Sequence, residues 1–149
     1  MNTPIRVLLI AAGLSMICAC TSTTNNDRLI ERKTYNPWEN EIGYSQVVKA
    51  GNTLYISGIA SNKPTLEKQV EEIYSTIQSI LNDYNLDASS IVKQVIYTTN
   101  IEAYRSLGAV SKKYFKENAY PSSTLVQIER LYSKEHMVEI EVVAYIDKI

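Results

Sequence analysis

The 149-residue chain has little of what many protein chemistries require. It holds one histidine, His136, and its only cysteines are Cys18 and Cys20, so no His/Cys set with metal-ligand spacing can assemble and no metal is expected. Neither charge dominates. Fifteen Lys plus Arg stand against sixteen Asp plus Glu, with no basic block and no interleaving of basic and aromatic residues, so nucleic acid is not an expected partner. One Trp and one Phe accompany eleven Tyr. Tyrosines suit half-buried positions, where the ring packs while the hydroxyl reaches water or a partner, as in clefts and subunit seams. The length fits a single domain with a core of its own.

Near the N terminus, Arg6 followed by the apolar run from Val7 to Ile17 has the plan of a secretory signal peptide. The run falls short of the roughly 20 apolar residues a membrane helix needs, and residues 21–27 turn polar at once, although an uncleaved anchor is the alternative. Ile17-Cys18-Ala19-Cys20 resembles a bacterial lipobox, in which cleavage before a cysteine leaves that residue as the lipid-bearing N terminus. Cys20 is the lipidation candidate; Cys18, preceded by the bulky Met16 and Ile17, is the second choice. The expected organisation is a signal peptide over 1–19, a lipidated N terminus and tether over 20–40, and a folded domain over 41–149. Thr21, by resemblance to Gram-negative lipoproteins, points to the periplasmic face of the outer membrane within the cell envelope. The mature folded part then carries no cysteine, which excludes a thiol nucleophile and an internal disulfide.

The folded part centres on Gly43 to Gly58. Two runs rich in β-branched and aromatic residues flank Lys49-Ala50-Gly51-Asn52, whose Gly and Asn accept the positive φ of a hairpin turn. Tyr44 and Ser57 place hydroxyls at the two ends of this hairpin. Residues 29–38 read as coil, since Pro37 disfavours a helix through Asn36. Thr65 caps a helix to about Tyr84, with Leu66, Val70, Ile73, Ile77 and Leu81 on one face. A β-branched strand follows at 91–99, then a helix capped by Asn100 and running to Asn118, a strand at 124–131 and a closing strand at 137–146. The order is ββαβαββ, an α+β domain. Two helices cover one face of such a sheet, and the apolar opposite face predicts a closed oligomer. Glu139 by pattern alone is a solvated strand residue, and His136 sits in a loop facing solvent.

Gly43-Tyr44-Ser45-Gln46, Val48-Lys49-Ala50-Gly51-Asn52, Ile56-Ser57-Gly58, Glu129-Arg130-Leu131 and the closing run from Val138 to Tyr145 resemble, in order and separation, the RidA/YjgF family from about Glu41 to Ile146. The resemblance implies a chorismate-mutase-like fold in a homotrimer, with the sheets forming an inner barrel, the helices outside and three small-molecule clefts between subunits. It also implies hydrolysis of enamine/imine intermediates such as 2-aminoacrylate to a 2-keto acid and ammonia, with no metal or organic cofactor. Glu139 matches the glutamate that positions or activates the attacking water. Tyr44 matches the cleft tyrosine, Ser57 and Gly58 the Ser-Gly pair, and Gly108, Ser123 and Thr124 complete the ligand-binding positions. Ser123 departs from the pattern. Deaminating members carry there an arginine that grips the substrate carboxylate, and they have asparagine and often glutamine where this chain has Gly108 and Ile59. Losing such a charge-assisted pair costs roughly 2 to 5 kcal/mol. The expectation is an envelope member of the family that lacks 2-imino-acid deamination. An active enamine/imine deaminase on a substrate without a carboxylate is one alternative, and a non-catalytic trimeric scaffold lipoprotein the other.

Overall fold

The structure, a computed structural model, describes residues 30–147; the expected signal peptide, Cys18, Cys20 and the first part of the tether lie outside the described residues. The fold begins earlier than the expected boundary at 41. Strand β1 (Ile30–Lys33) pairs antiparallel with β2 (Val47–Ala50), and between them lies helix α1 (Pro37–Ile42). This helix replaces the coil expected around Pro37. Proline restricts the residue before it but is well suited to the first helical position, where its missing N–H would find no partner anyway. Asn36 is extended and caps the helix, and the buried carboxylate of Glu39 accepts hydrogen bonds from Tyr35 N at 3.1 Å, Asn36 N at 2.9 Å and Asn36 Nδ2 at 2.9 Å. Gly43 ends the helix at φ 95°, a left-handed position that favours glycine.

The hairpin continues into β3 (Thr53–Ala60), turning through Gly51 at φ 59°. Helix α2 (Leu66–Asn82) is capped by Thr65, whose Oγ1 accepts from Lys68 N, and buries Val70, Ile73, Ile77 and Leu81 as its spacing predicts. Strand β4 (Ile91–Thr98) follows. The single helix expected to Asn118 is instead two short ones, α3 (Ile101–Ser106) and α4 (Ala109–Lys112). They break at Leu107-Gly108, where glycine weakens the helix and the hydrogen bonds tighten to the i+3 pattern. Strand β5 (Ser122–Gln127) starts two residues before the expected strand and stops well short of Leu131, and β6 (Val138–Tyr145) closes the domain.

The sheet runs β1-β2-β3-β6-β4-β5, antiparallel except for the β4/β5 pair. Val138, Ile140, Val142 and Ala144 of β6 are buried on the side facing α2, together with Leu54 and Ile56 of β3. The alternate residues Glu139, Glu141, Val143 and Tyr145 lie on the opposite, open face. There Tyr55 is 50% exposed and Tyr145 45%. The β3/β6 pairing shifts register between Ile56 and Ile59, a bulge that places Ser57 and Gly58 on the open side.

Candidate functional site

A cleft of about 670 Å³ lies between α1, the bulge of β3 and the loop preceding β6. Trp38 and Tyr44 form one wall, with ring centroids 5.9 Å apart and planes tilted by 55°. The bulge supplies the floor. Gln46 holds it through Nε2 donating to Ser57 O at 2.8 Å, and Ser57 N donates to Gln46 O at 2.9 Å. The Ser57 hydroxyl donates to Ser45 O at 2.9 Å, so toward the cleft its oxygen offers lone pairs.

Glu139 enters from β6, paired with Ala60, and its side chain lies directly over Gly58. The chain has no Cβ where that carboxylate rests. Burial of the carboxyl raises its pKa above the usual value, an effect opposed by the nearby His136 and reinforced by Glu141. Burial likewise raises the pKa of Tyr44, with the negative charges of Glu39 and Glu139 adding to it, so the phenol stays protonated.

The fourth side of the cleft is the loop carrying Tyr132 and His136. The buried Gln69 of α2 holds this loop from behind. Its Nε2 donates to Lys63 O at 2.9 Å and Glu135 O at 2.8 Å, while its Oε1 accepts from Met137 N at 2.9 Å. The backbone is therefore pinned on both sides of His136. The imidazole is not the solvent-facing group expected from sequence, because the clasp draws its loop against the sheet. Nε2 meets Asn62 Oδ1 at 3.1 Å, and the buried Nδ1 has no partner.

The structure thus brings Tyr44, Ser57, Gly58 and Glu139 together, and sets Gly108, Ser123 and Thr124 apart from them. Ser123 and Thr124 are on β5, the edge strand three strand spacings, or about 14 Å, from β3. Ser123 is turned toward the helix side, where Gln94 Nε2 donates to its Oγ at 3.0 Å while Gln94 Oε1 accepts from Tyr74 OH at 2.9 Å. Thr124 pairs with Val95 on the open face, and Gly108 lies at the joint between α3 and α4. Sequence reasoning passed over Trp38, Asn62, Tyr132 and the cleft-side position of His136. For Trp38 a signal existed: Asn36-Pro37-Trp38-Glu39 is a capping-box pattern with proline at the first helical position.

Residues 36–146 match the family model described as endoribonuclease L-PSP, a span that opens at the cap of α1 and takes in every wall of the cleft. The chain belongs to that family. It is the group the sequence resembles as RidA/YjgF. A RutC family protein of Aquifex aeolicus is 33% identical over 109 residues, covering 68% of this chain and 86% of its own length. A second, from Pyrococcus horikoshii, is 28% identical over 110 residues with the same coverage. Among solved structures, a YjgF/YER057c/UK114 family member from Mycobacterium tuberculosis has a TM-score of 0.72 at 24% identity, covering 78% of this chain and 99% of that one. RidA from Psychrobacter sp. has a TM-score of 0.66 at 27% identity, covering 80% and 99%. The sheet order carries β6 between β3 and β4, which is what lets Glu139 meet the Ser-Gly bulge.

Proposed function

We propose that this RidA/YjgF protein binds a small molecule lacking a carboxylate in a cleft completed by a neighbouring copy, and does not deaminate 2-imino acids. The reading rests on Ser123, which by the family resemblance takes the place of the carboxylate-gripping arginine and which accepts a hydrogen bond from Gln94 on the helix side of β5. No Lys or Arg is among the described residues lining the cleft, so none of them replaces the guanidinium there. The same lack, with a near-neutral net charge, argues against an RNA substrate despite the family's description. The exposed Tyr55, Val126 and Tyr145 on the open sheet face support burial of that face in a closed homotrimer, which would bring one copy's β5 edge to its neighbour's cleft. Cys20 carries the lipid and the periplasmic face of the outer membrane is the location, on the strength of the N-terminal pattern.

The test generates 2-iminopropanoate in situ from alanine with an amino-acid oxidase and follows its loss with the full chain purified in dodecyl maltoside. Loss at the buffer rate is the expected result. Acceleration of about tenfold or more would overturn the reading.

The position of Glu139 favours a second reading, cofactor-free hydrolysis of an imine without a carboxylate. Its raised pKa suits exchange of a proton with water at the floor of the cleft. Water would lose a proton to Glu139 as its oxygen bonds to the carbon of the protonated imine, giving a neutral carbinolamine. Glu139 returns that proton to the nitrogen and takes up the hydroxyl proton as the C–N bond breaks, leaving a carbonyl and an amine that departs with this second proton as an ammonium ion.

A further inference from the structure

We propose that the cleft takes a small organic cation of the alkylammonium class, seated between the rings of Trp38 and Tyr44 and the carboxylate of Glu139. This rests on the small-molecule reading above and fixes the charge of the ligand.

Three independent features lead there. Glu139 is a half-buried carboxylate to which no described group donates a hydrogen bond and with which no described cation forms an ion pair. Its carboxyl end rests in the space left by the missing side chain of Gly58. A carboxylate partly withdrawn from water without a donor is stabilised by a positive partner, and among the described residues no Lys or Arg lines the cleft to supply one. The second feature is the aromatic wall. Trp38 and Tyr44 lie at a tilt of 55° rather than stacked on each other, which leaves ring surface open to the cleft, and the negative π-faces attract cations, tryptophan most strongly. The third is the remaining polar lining. The proton of Ser57 is engaged by Ser45 O, so Ser57 presents an acceptor, and Nε2 of His136 is occupied by Asn62 Oδ1. Lys93, a cation of the open face, belongs to a separate cavity of about 200 Å³ beside Glu141 and Tyr55. A carboxylate ligand would face Glu139 with nothing to offset the repulsion, whereas a cation is drawn by carboxylate, rings and hydroxyl oxygen together. A volume of about 670 Å³ suits a ligand of small-metabolite size.

Trp38 is the only tryptophan in the chain, so its fluorescence reports on this wall alone. The full chain in dodecyl maltoside would be excited at the red edge of indole absorption and titrated with choline, with the neutral carbon isostere 3,3-dimethylbutan-1-ol and with 2-oxobutanoate. The expected result is saturable change with choline at an affinity about tenfold or more above that of the isostere, and a preference that disappears in Glu139→Gln while isostere binding is unchanged. Equal affinity for choline and isostere, or a preference that survives Glu139→Gln, overturns the proposal. Isostere binding without choline binding also overturns it but leaves the small-molecule reading standing. Tightest binding by 2-oxobutanoate overturns both.

Discussion

Glu139 fills the space that a side chain on Gly58 would occupy: a Cβ built on the glycine would stand 2.8 Å from Cδ and 2.9 Å from Cγ of the glutamate. The β3 bulge and the β6 strand are therefore fitted to each other through one absent methyl group. All the colliding atoms belong to a side chain that can rotate, so Gly58→Ala is expected to move the carboxylate rather than the backbone. Stability should fall by no more than about 1 kcal/mol, a few degrees in Tm, while choline affinity drops about tenfold. Wild-type choline binding in a folded Gly58→Ala protein would mean that the carboxylate position is not what holds the cation.

Glu139 should also be a burden on the fold. Its pKa lies above the ordinary value of 4.5 because burial penalises the charged form, so the folded chain keeps this proton to higher pH than the unfolded chain does. Between those two pKa values the folded state binds more protons, stability from this group falls as pH rises, and above the window the full cost of the charge remains. Glu139→Gln removes that cost. The variant is therefore expected to melt above wild type at pH 7, with the gain shrinking as the pH falls through the ordinary carboxylate range. Thermal melts of the two proteins across pH check this; a variant less stable than wild type at pH 7 would show that Glu139 has a structural partner.

Gln69 makes the opposite kind of contribution. Its amide satisfies Lys63 O, Glu135 O and Met137 N from inside the protein, so Gln69→Leu leaves three backbone groups without partners near a buried position. The expected loss is about 3 kcal/mol, on the order of 10 °C in Tm, with faster amide exchange at Met137 than at Ile77 in the same helix-facing core. A loss below about 0.5 kcal/mol would mean the loop bearing His136 is held by something else.

The elements legible in the sequence are those where one local rule acts alone. The 3.6-residue repeat from Leu66 to Leu81, the β-branched density of 91–98 and the Gly51-Asn52 turn each declare their structure, and each forms. Residues 30–42 were missed because two rules conflict there: Pro37 restricts Asn36 yet starts a helix well, and only the Glu39 capping bonds decide between them. Gly108 divides a helix whose apolar spacing runs through it unbroken, since periodicity records which face is buried and not whether the backbone can continue. For the site, Tyr44, Ser57, Gly58 and Glu139 could be named through the family motifs, but the cleft-side place of His136 could not. It depends on Gln69, 67 positions earlier in the chain, and no local pattern carries a contact of that range.

Ser123→Arg joins the chemistry to the assembly. Ser123 is exposed and accepts a single hydrogen bond from Gln94, so exchanging it should cost little stability, within about 1 kcal/mol. Within one chain an arginine there starts on the helix side of the β5 edge strand, whereas Glu139 lies on the opposite, open face of β6, two strands away. In the proposed trimer it would reach the cleft of the adjoining copy and supply the missing carboxylate grip. Affinity for 2-oxobutanoate is then expected to rise about 30-fold, and choline affinity to fall as a second cation enters the site. Trp38 fluorescence titration reads both changes, and sedimentation of the same sample gives the number of copies. Carboxylate binding that stays at the wild-type level in a trimeric Ser123→Arg protein would separate β5 from the cleft altogether, and with it remove the reason to read Ser123 as a lost anion clamp.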